Sequence, residues 1–225
     1  TMYRLAAMHP GRVGITATVH IPTFPENMDA VRVIAPERAL TGAVIDAASK
    51  DKKIAFGHPS EKRGRFAGLS PSVLAQIRTK AGFDVIMVKA DGARMRWLKA
   101  PNEIEPQIPD GTDTVIAVVS ARAFGEPLSE RIAHRVELVE KICGMRRGER
   151  MEPRHIARLL TDADGICRGS GAARVIPLIN MVDDETRQTL ATEAAMIALQ
   201  ATDRFDRVVL ASMHRDDALV DLIER

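Results

Sequence analysis

Asp91 and Gly92 follow a short apolar run, a position from which their side chain and backbone could serve phosphate chemistry. The run from Val85 to Val88 predicts a strand that is buried on both faces of a parallel sheet. Ligands of open α/β sheets bind beyond the carboxyl ends of the strands, where Asp91 would hold Mg²⁺ and Gly92 would let the backbone approach phosphates. Asp-Gly is also a common turn pair, so a plain polar turn stays open as the alternative.

Length and charge limit the class of protein. With 225 residues, 45% of them apolar and 28% charged, the chain is typical of a globular protein, and we expect a single α/β domain over residues 1–225. A net charge of +2 gives no strong field for nucleic acid or a membrane surface, and no apolar run reaches the roughly 20 residues of a membrane span. Cys143 and Cys167 form no CxxC pair, which favours a reducing, cytoplasmic compartment.

Apolar runs alternate with helical patterns along the chain, which predicts a mostly parallel central sheet flanked by helices. The predicted strands are 12–19, 31–35, 53–56, 85–88, 115–119, 175–179 and 208–211. The predicted helices are 2–8, 36–48, 70–82, 128–143, 153–160, 183–201 and 216–224. Residues 57–68 are expected to form a polar loop, and residues 127–160 a helical insertion. The apolar residues of helix 128–143 recur at helical spacing, as in a core stripe.

The chain opens on a helix rather than on a strand. A helix without a preceding strand has nothing to cross over from, which indicates a segment upstream of Thr1; we consider the case in which that segment is a strand and a glycine-rich loop. The helix amides would then face a phosphate. A short N-terminus whose helix only packs on the sheet stays open as the alternative.

Several segments resemble one family, in the order in which they occur from Thr1 to about Ser212. They are Thr1–Ala6, Thr16–Ile21, Lys89–Ala93, Leu98–Pro101, Glu105-Pro106 with Ile108-Pro109, Gly125–Leu128, His134-Arg135 and Leu178–Asp183. The Lys-Ala-Pro and Glu-Pro pieces are the most specific of these. The family is that of the selenium-dependent molybdenum hydroxylase accessory proteins, which are P-loop nucleotide-binding proteins.

The resemblance implies a P-loop NTPase-like three-layer fold, with the N-terminal strand and the Gly-x-Gly-Gly-Lys-Thr phosphate loop lying immediately upstream of Thr1. It also implies ATP or GTP and Mg²⁺ as ligands, and a role in the maturation of molybdenum-containing, selenium-dependent hydroxylases. The partners would be the nucleotide and either the molybdenum cofactor or a molybdenum hydroxylase. Whether the nucleotide is hydrolysed or its nucleotidyl group is transferred stays open. In either case the chemistry would depend on positioning and charge neutralisation.

The resemblance also suggests roles for residues at the strand ends. Thr16 and Thr18 would reach phosphate or the metal shell, although threonine is favoured in strands for packing alone. Asn180 and Asp183 would face the nucleotide base, but Asp183 is equally placed to be the N-cap of the long helix that follows.

Three further candidates lie in the most specific part of the resemblance. Lys99 and Glu105 would contact phosphate or substrate, or would form an ion pair that braces the irregular segment around them. His134, expected on helix 128–143, would be a catalytic base or a packing histidine. Asp91 is the other candidate for a catalytic role.

The sequence departs from the family pattern at two positions. Lys89 replaces the usual acid before Ala-Asp-Gly, and Met181 replaces the lysine of Asn-Lys-x-Asp, which weakens guanine preference. These changes favour a second interpretation, a non-catalytic module that binds a partner or cofactor on a P-loop scaffold. A dehydrogenase is disfavoured because Gly169-Ser170-Gly171 precedes a strand rather than a helix.

Overall fold

The computed structural model describes all residues 1–225. The chain divides into two compact units, Thr1–Gly92 and Ala93–Arg225, and each is described by itself. Both units combine helices with sheets that contain parallel strands, which confirms the α/β class. The three-layer P-loop arrangement and the single domain stay predictions. No helix in the structure is both long enough and apolar enough to cross a membrane.

The first unit contains three helices and six strands. The helices are α1 (Met2–Met8), α2 (Glu37–Lys50) and α3 (Pro71–Lys80). The strands are β1 (Val13–Ala17), β2 (Ile21–Pro22), β3 (Val31–Ile34), β4 (Lys53–Pro59), β5 (Arg65–Ala67) and β6 (Val85–Lys89). They form one sheet in the order β2-β5-β4-β1-β6, with β3 paired to β4. Strands β1, β3, β4 and β6 pair in parallel, whereas β5 pairs antiparallel with β2 and β4.

The parallel strands of this unit bring the ends of β1 and β6 to the same edge of the sheet. Thr16 pairs with Val88 and Ala17 with Lys89, and the Thr18 amide donates to the Lys89 carbonyl oxygen. This unit has two separate apolar clusters. One contains Leu40 and Ile54, and the other contains Ala6 and Ile15. Burial of these clusters holds the sheet and its carboxyl edge in place.

The second unit contains three helices, a short 3₁₀ turn and six strands. The helices are α4 (Val136–Cys143), α5 (Pro153–Thr161) and α6 (Glu185–Ala201), and the 3₁₀ turn is Ala121–Ala123. The strands are β7 (Leu98–Lys99), β8 (Thr114–Ser120), β9 (Ala133–His134), β10 (Arg174–Asn180), β11 (Arg207–Ala211) and β12 (Leu219–Glu224). One sheet has the order β12-β11-β10-β8, and β7 pairs with β9 in a second, two-stranded sheet.

Three neighbouring strands of the larger sheet, β8, β10 and β11, are parallel, and β12 pairs antiparallel with β11. Their apolar residues join those of α4, α5 and α6 in one core. The carboxyl ends of β8, β10 and β11 therefore meet at one edge, the location where α/β sheets bind ligands.

The predicted helix 128–143 is wrong in its first half. Leu128 and Ile132 are fully buried, as the apolar spacing predicts, but the helix itself begins only at Val136. Arg135, directly before it, has a left-handed backbone with φ 62°, which no helix interior allows. His134 consequently lies on strand β9 and not on a helix.

The predicted closing helix at 216–224 is also wrong. Residues Leu219–Glu224 form strand β12 and pair along the edge of β11, with Val208 opposite Ile223. The four apolar residues of this segment are spaced as in a helix, but the open edge of the neighbouring strand β11 decides in favour of pairing.

Two smaller corrections concern strands of the first unit. The expected loop 57–68 contains the end of β4 and all of β5, which form an antiparallel hairpin. Strand β6 is half-buried rather than buried on both faces, because it is an end strand of its sheet and has one neighbour only.

Candidate functional site

The carboxyl edge of the first unit carries Thr16, Thr18, Asp91 and Gly92, and these residues differ in what their polar groups do. The Thr16 hydroxyl is fully buried and donates to the Phe56 carbonyl oxygen at 2.8 Å. Thr18 lies just beyond β1 and is half-buried. Asp91 accepts a 2.7 Å hydrogen bond from the Gly92 amide through Oδ1. Thr18 and Asp91 are thus partly exposed at this edge, whereas the Thr16 hydroxyl is turned inwards.

Gly68 shows how tightly Thr18 is held. A Cβ atom at Gly68 would lie 2.0 Å from the Thr18 carbonyl oxygen, so only glycine fits there. Leu69 then donates through its amide to the Ala17 carbonyl oxygen at 2.9 Å. The backbone that carries Thr18 is therefore fixed from both sides.

Thr1 is the N-cap residue of α1, and its carbonyl oxygen accepts from the Leu5 amide at 3.0 Å. Its side chain makes no capping hydrogen bond. Lys89, at the end of β6, is exposed at the carboxyl edge of the same sheet. A cation thus occupies the position at which the family resemblance leads one to expect an acid.

A compact ionic cluster in the second unit joins Lys99, Glu105 and Arg135. The Lys99 Nζ atom and the Arg135 Nη1 atom lie 2.6 Å and 2.5 Å from the same Glu105 oxygen, Oε2. The side chains are 6%, 19% and 19% exposed for Lys99, Glu105 and Arg135. Arg135 also donates to the Ala100 carbonyl oxygen at 3.4 Å. The ion pair that the sequence offered as one alternative is therefore formed, with Arg135 as an additional member.

Electrostatics in this cluster shift two pKa values. Burial tends to raise the pKa of Glu105, but hydrogen bonds from Arg135 and Lys99 and the charges of both outweigh burial and lower it to about 2. The second shifted group is His134, whose pKa is also lowered. Burial first, and then the charges of Arg135, Arg94 and Lys99, lower the pKa of His134, with Glu105 opposing them. The imidazole is therefore neutral at pH 7 and able to accept a proton.

The carboxyl edge of the second unit brings Asn180 and Asp183 to the loop that follows β11. The Met213 amide donates to the Asn180 Oδ1 atom at 3.0 Å, and the Ser212 hydroxyl donates to the Asp183 Oδ1 atom at 2.8 Å. The Asp183 side chain is 18% exposed. The helix N-cap is Asp184 and not Asp183, because the Asp184 carboxylate accepts from the Arg187 amide. The N-cap alternative for Asp183 is thus wrong.

Three residues near Asp183 were not among the sequence candidates. Ser212 is fully buried, His214 places Nδ1 3.6 Å from Asp183 Oδ1, and Arg122 places Nη2 3.5 Å from Asp183 Oδ2. Each follows a strand end, β11 for Ser212 and His214 and β8 for Arg122. The rule that singles out Asp91, a polar residue just past a buried strand, would have found Ser212 as well.

The candidate ligands for Mg²⁺ lie at the carboxyl edge of the first unit's sheet. Thr18 and Asp91 supply hard oxygen donors, the type that Mg²⁺ prefers, and one carboxylate is enough when phosphates and water complete the shell. No group of three or more His, Cys, Asp or Glu residues is arranged to hold a metal ion. The donor set fits an ion that arrives with phosphate.

Comparison with known proteins gives one family and one relative. The model of the YqeC protein family matches residues 1–137. The uncharacterized protein YqeC of Escherichia coli (strain K12) is 32% identical over 136 residues, which cover 60% of this chain and 51% of that protein. The chain thus matches about half the length of this curated relative. No solved structure matches. The matched region contains both the Asp91 edge and the Lys99–Glu105–Arg135 cluster, and with the family model extending over more than half of its residues, the chain belongs to the YqeC family.

Proposed function

We propose that the protein binds ATP or GTP with Mg²⁺ on a P-loop-type scaffold and acts as an accessory factor in the maturation of molybdenum-containing, selenium-dependent hydroxylases. The observation that carries the nucleotide part is the arrangement around Asn180 and Asp183. Asn180 is the last residue of β10, the middle of three neighbouring parallel strands, and Asp183 follows that strand. Both side chains accept hydrogen bonds from the loop after β11. Membership in the YqeC family is consistent with the accessory role.

In this proposal Asn180 and Asp183 contact the base. Asn180 uses its side-chain oxygen to fix the Met213 amide, so its side-chain nitrogen is left to donate to a ring nitrogen or carbonyl of the base. Asp183 offers carboxylate oxygens to an amino or imino group of the base. Met181, which has a left-handed backbone with φ 62°, would cover the ring apolarly.

Thr18, Asp91 and Gly92 are the proposed metal and phosphate contacts. Thr18 and Asp91 would hold Mg²⁺, directly or through water, and Gly92 would let the backbone approach the phosphates. The ion would supply charge neutralisation at the phosphates. We assign the hydroxyl ligand to Thr18, because Thr16 would have to give up the Phe56 carbonyl oxygen to reach a ligand. The amides at Thr1, together with the predicted upstream loop, would cradle phosphate oxygens.

Turnover would need a proton acceptor, and His134 and Asp91 are the proposed candidates. The lowered pKa of His134 keeps it neutral at pH 7, as a general base must be. Lys99 would act as a phosphate contact near it, and Glu105 would hold Lys99 in place. Lys89 at the position of an expected acid favours the alternative, a module that binds a partner or the molybdenum cofactor without turnover. Partner binding that persists without nucleotide hydrolysis would select this alternative.

Asp183→Asn tests the base contact. In calorimetric titrations of the full-length protein, we expect the affinity for ATP or GTP to fall about tenfold or more, because a charge-assisted hydrogen bond is lost. The matched control is Asp184→Asn, which keeps a good N-cap on the same turn. Equal affinities of both variants and the wild type would refute the base pocket.

Asp91→Ala tests the metal contact independently. We expect this variant to lose the Mg²⁺-dependent part of nucleotide binding and to keep its circular dichroism spectrum. The control is Asp46→Ala, which removes an exposed carboxylate paired only with Lys50 in the same unit. An unchanged response to Mg²⁺ would remove Asp91 from the site.

A further inference from the structure

Arg135 is an unusual member of its ionic cluster, because only one of its guanidinium nitrogens is used. Both hydrogen bonds that it donates, to Glu105 Oε2 and to the Ala100 carbonyl oxygen, leave from Nη1. No buried side-chain nitrogen or oxygen lacks a partner, so the remaining Nε and Nη2 donors have access to solvent. A guanidinium presents its donors as a planar fork that suits carboxylate and phosphate oxygens.

Around the Arg135 guanidinium, positive side chains outnumber negative ones. Arg135 shares the single Glu105 carboxylate with Lys99, and Arg94 lies near enough to affect His134. The Arg94 side chain is on an exposed turn whose backbone is left-handed at Arg94 and at Met95, with φ 48° and 64°. The charge of Arg94 adds to those of Lys99 and Arg135 at His134.

We propose that Arg94 and Arg135, beside Lys99, form a binding site for a phosphoryl group. Lys99 and Arg135 together exceed what the Glu105 carboxylate that they share can neutralise, and Arg94 adds a further positive charge. A phosphate monoester, which carries about −1.5 to −2 charges at pH 7, supplies the missing negative charge. Acetate, with one charge and one plane of oxygens, matches the site less well. The inference deepens the proposed function and rests on it for the source of the phosphoryl group, but inorganic phosphate alone is enough to test it.

His134 provides a reporter inside the site. The groups that face it are Arg135, Arg94 and Lys99, which lower its pKa, and Glu105, which raises it. A bound dianion would oppose the three cations. The pKa of His134 should therefore rise when the site is filled, an effect that a purely structural ion pair would not produce.

The experiment is an NMR titration of the His134 ring signal in the full-length protein, with inorganic phosphate, sulfate and acetate at constant ionic strength. We expect saturable binding of phosphate and sulfate, a raised His134 pKa in the bound state, and a much weaker response to acetate. Arg135→Gln and Arg94→Gln should each weaken phosphate binding about tenfold, as expected for loss of one charge-assisted contact. Arg94 is exposed, so its variant keeps the test valid if Arg135→Gln does not fold.

Arg147→Gln is the matched control, since Arg147 is an exposed arginine of the same unit that pairs with Glu130. Binding of phosphate that does not saturate, or that is the same in Arg94→Gln and Arg147→Gln, would mean an adventitious ion only and would overturn the inference. Titrations with ATP and GTP separate this result from the proposed function. Nucleotide binding that needs Asp183, together with a His134 signal indifferent to phosphate, would refute the phosphoryl site alone.

Discussion

Glu105 and Asp183 are both partly buried carboxylates of the second unit, but their partners differ. Glu105 faces two cations at 2.6 Å and 2.5 Å, whereas the shortest contact of Asp183 is a 2.8 Å hydrogen bond from a neutral hydroxyl, and its nearest cation is 3.5 Å away. The first arrangement fixes an irregular segment by charge. In the second, the cations Arg122 and Arg187 lie 3.5 Å and 4.0 Å from the other carboxylate oxygen, Oδ2. The same residue type is thus held directly by charge in one place, and in the other by a neutral hydroxyl with its cations further away.

The largest effect that can test this contrast is expected from Glu105→Gln. Removing the carboxylate leaves Lys99 and Arg135 without their counter-charge, so we expect the free energy of unfolding to fall by about 3 kcal/mol. Urea unfolding followed by circular dichroism measures the change. Glu103→Gln, at an exposed position of the same segment, is the control and should stay within about 0.5 kcal/mol of the wild type. A loss no larger than the control's would remove the distinction between the two carboxylates.

The pH dependence of the same interaction is the next largest effect. The pKa of Glu105 is about 2 in the folded protein and 4.5 in the ordinary state, so its contribution is complete above about pH 4.5 and is lost as the pH falls towards 2. The contribution amounts to about 3 kcal/mol at most. The stability difference between wild type and Glu105→Gln should therefore shrink between pH 5 and pH 3, which parallel urea curves measure. A difference that does not change with pH would contradict the ion-pair origin.

Ser212→Ala should have the smallest effect on stability and a specific effect on binding. The variant removes the hydroxyl that orients Asp183, and we expect a cost of about 1–2 kcal/mol in unfolding free energy. Nucleotide affinity should fall as well, because Asp183 would no longer be held. Urea unfolding and calorimetry of the same preparation measure both quantities. Reduced stability with unchanged affinity would make Ser212 a packing residue only.

The sequence predicts much of the fold because apolar periodicity directly reflects burial. Six of the seven predicted helices occur, although the one predicted for 128–143 is confined to Val136–Cys143, and the predicted strands occur with small shifts of their ends. The apolar pattern fails to predict the secondary structure where contacts with residues distant in the sequence determine it. Leu128 and Ile132 reach the core from turns, and Leu219–Glu224 joins a strand edge that no local window reveals.

The candidate sites, too, are only partly predictable from the local sequence. The position of Asp183 after a strand is visible in the sequence, but its contact with Ser212 joins residues 29 positions apart. Arg135 reaches Glu105 across 30 positions and becomes visible only once β7 pairs with β9. The inward orientation of Thr16 likewise depends on the Phe56 carbonyl of a neighbouring strand. Strand ends can thus be predicted locally, whereas the partners that decide a side chain's role cannot.

The most direct test of nucleotide binding is a ¹⁵N NMR spectrum of the full-length protein with and without ATP or GTP. The account predicts that the Met213 amide signal shifts and saturates with nucleotide, because this amide is bonded to Asn180 beside the proposed base contact. Asp183→Asn should reduce that shift at the same nucleotide concentration. A Met213 signal that does not move with either nucleotide would contradict the account.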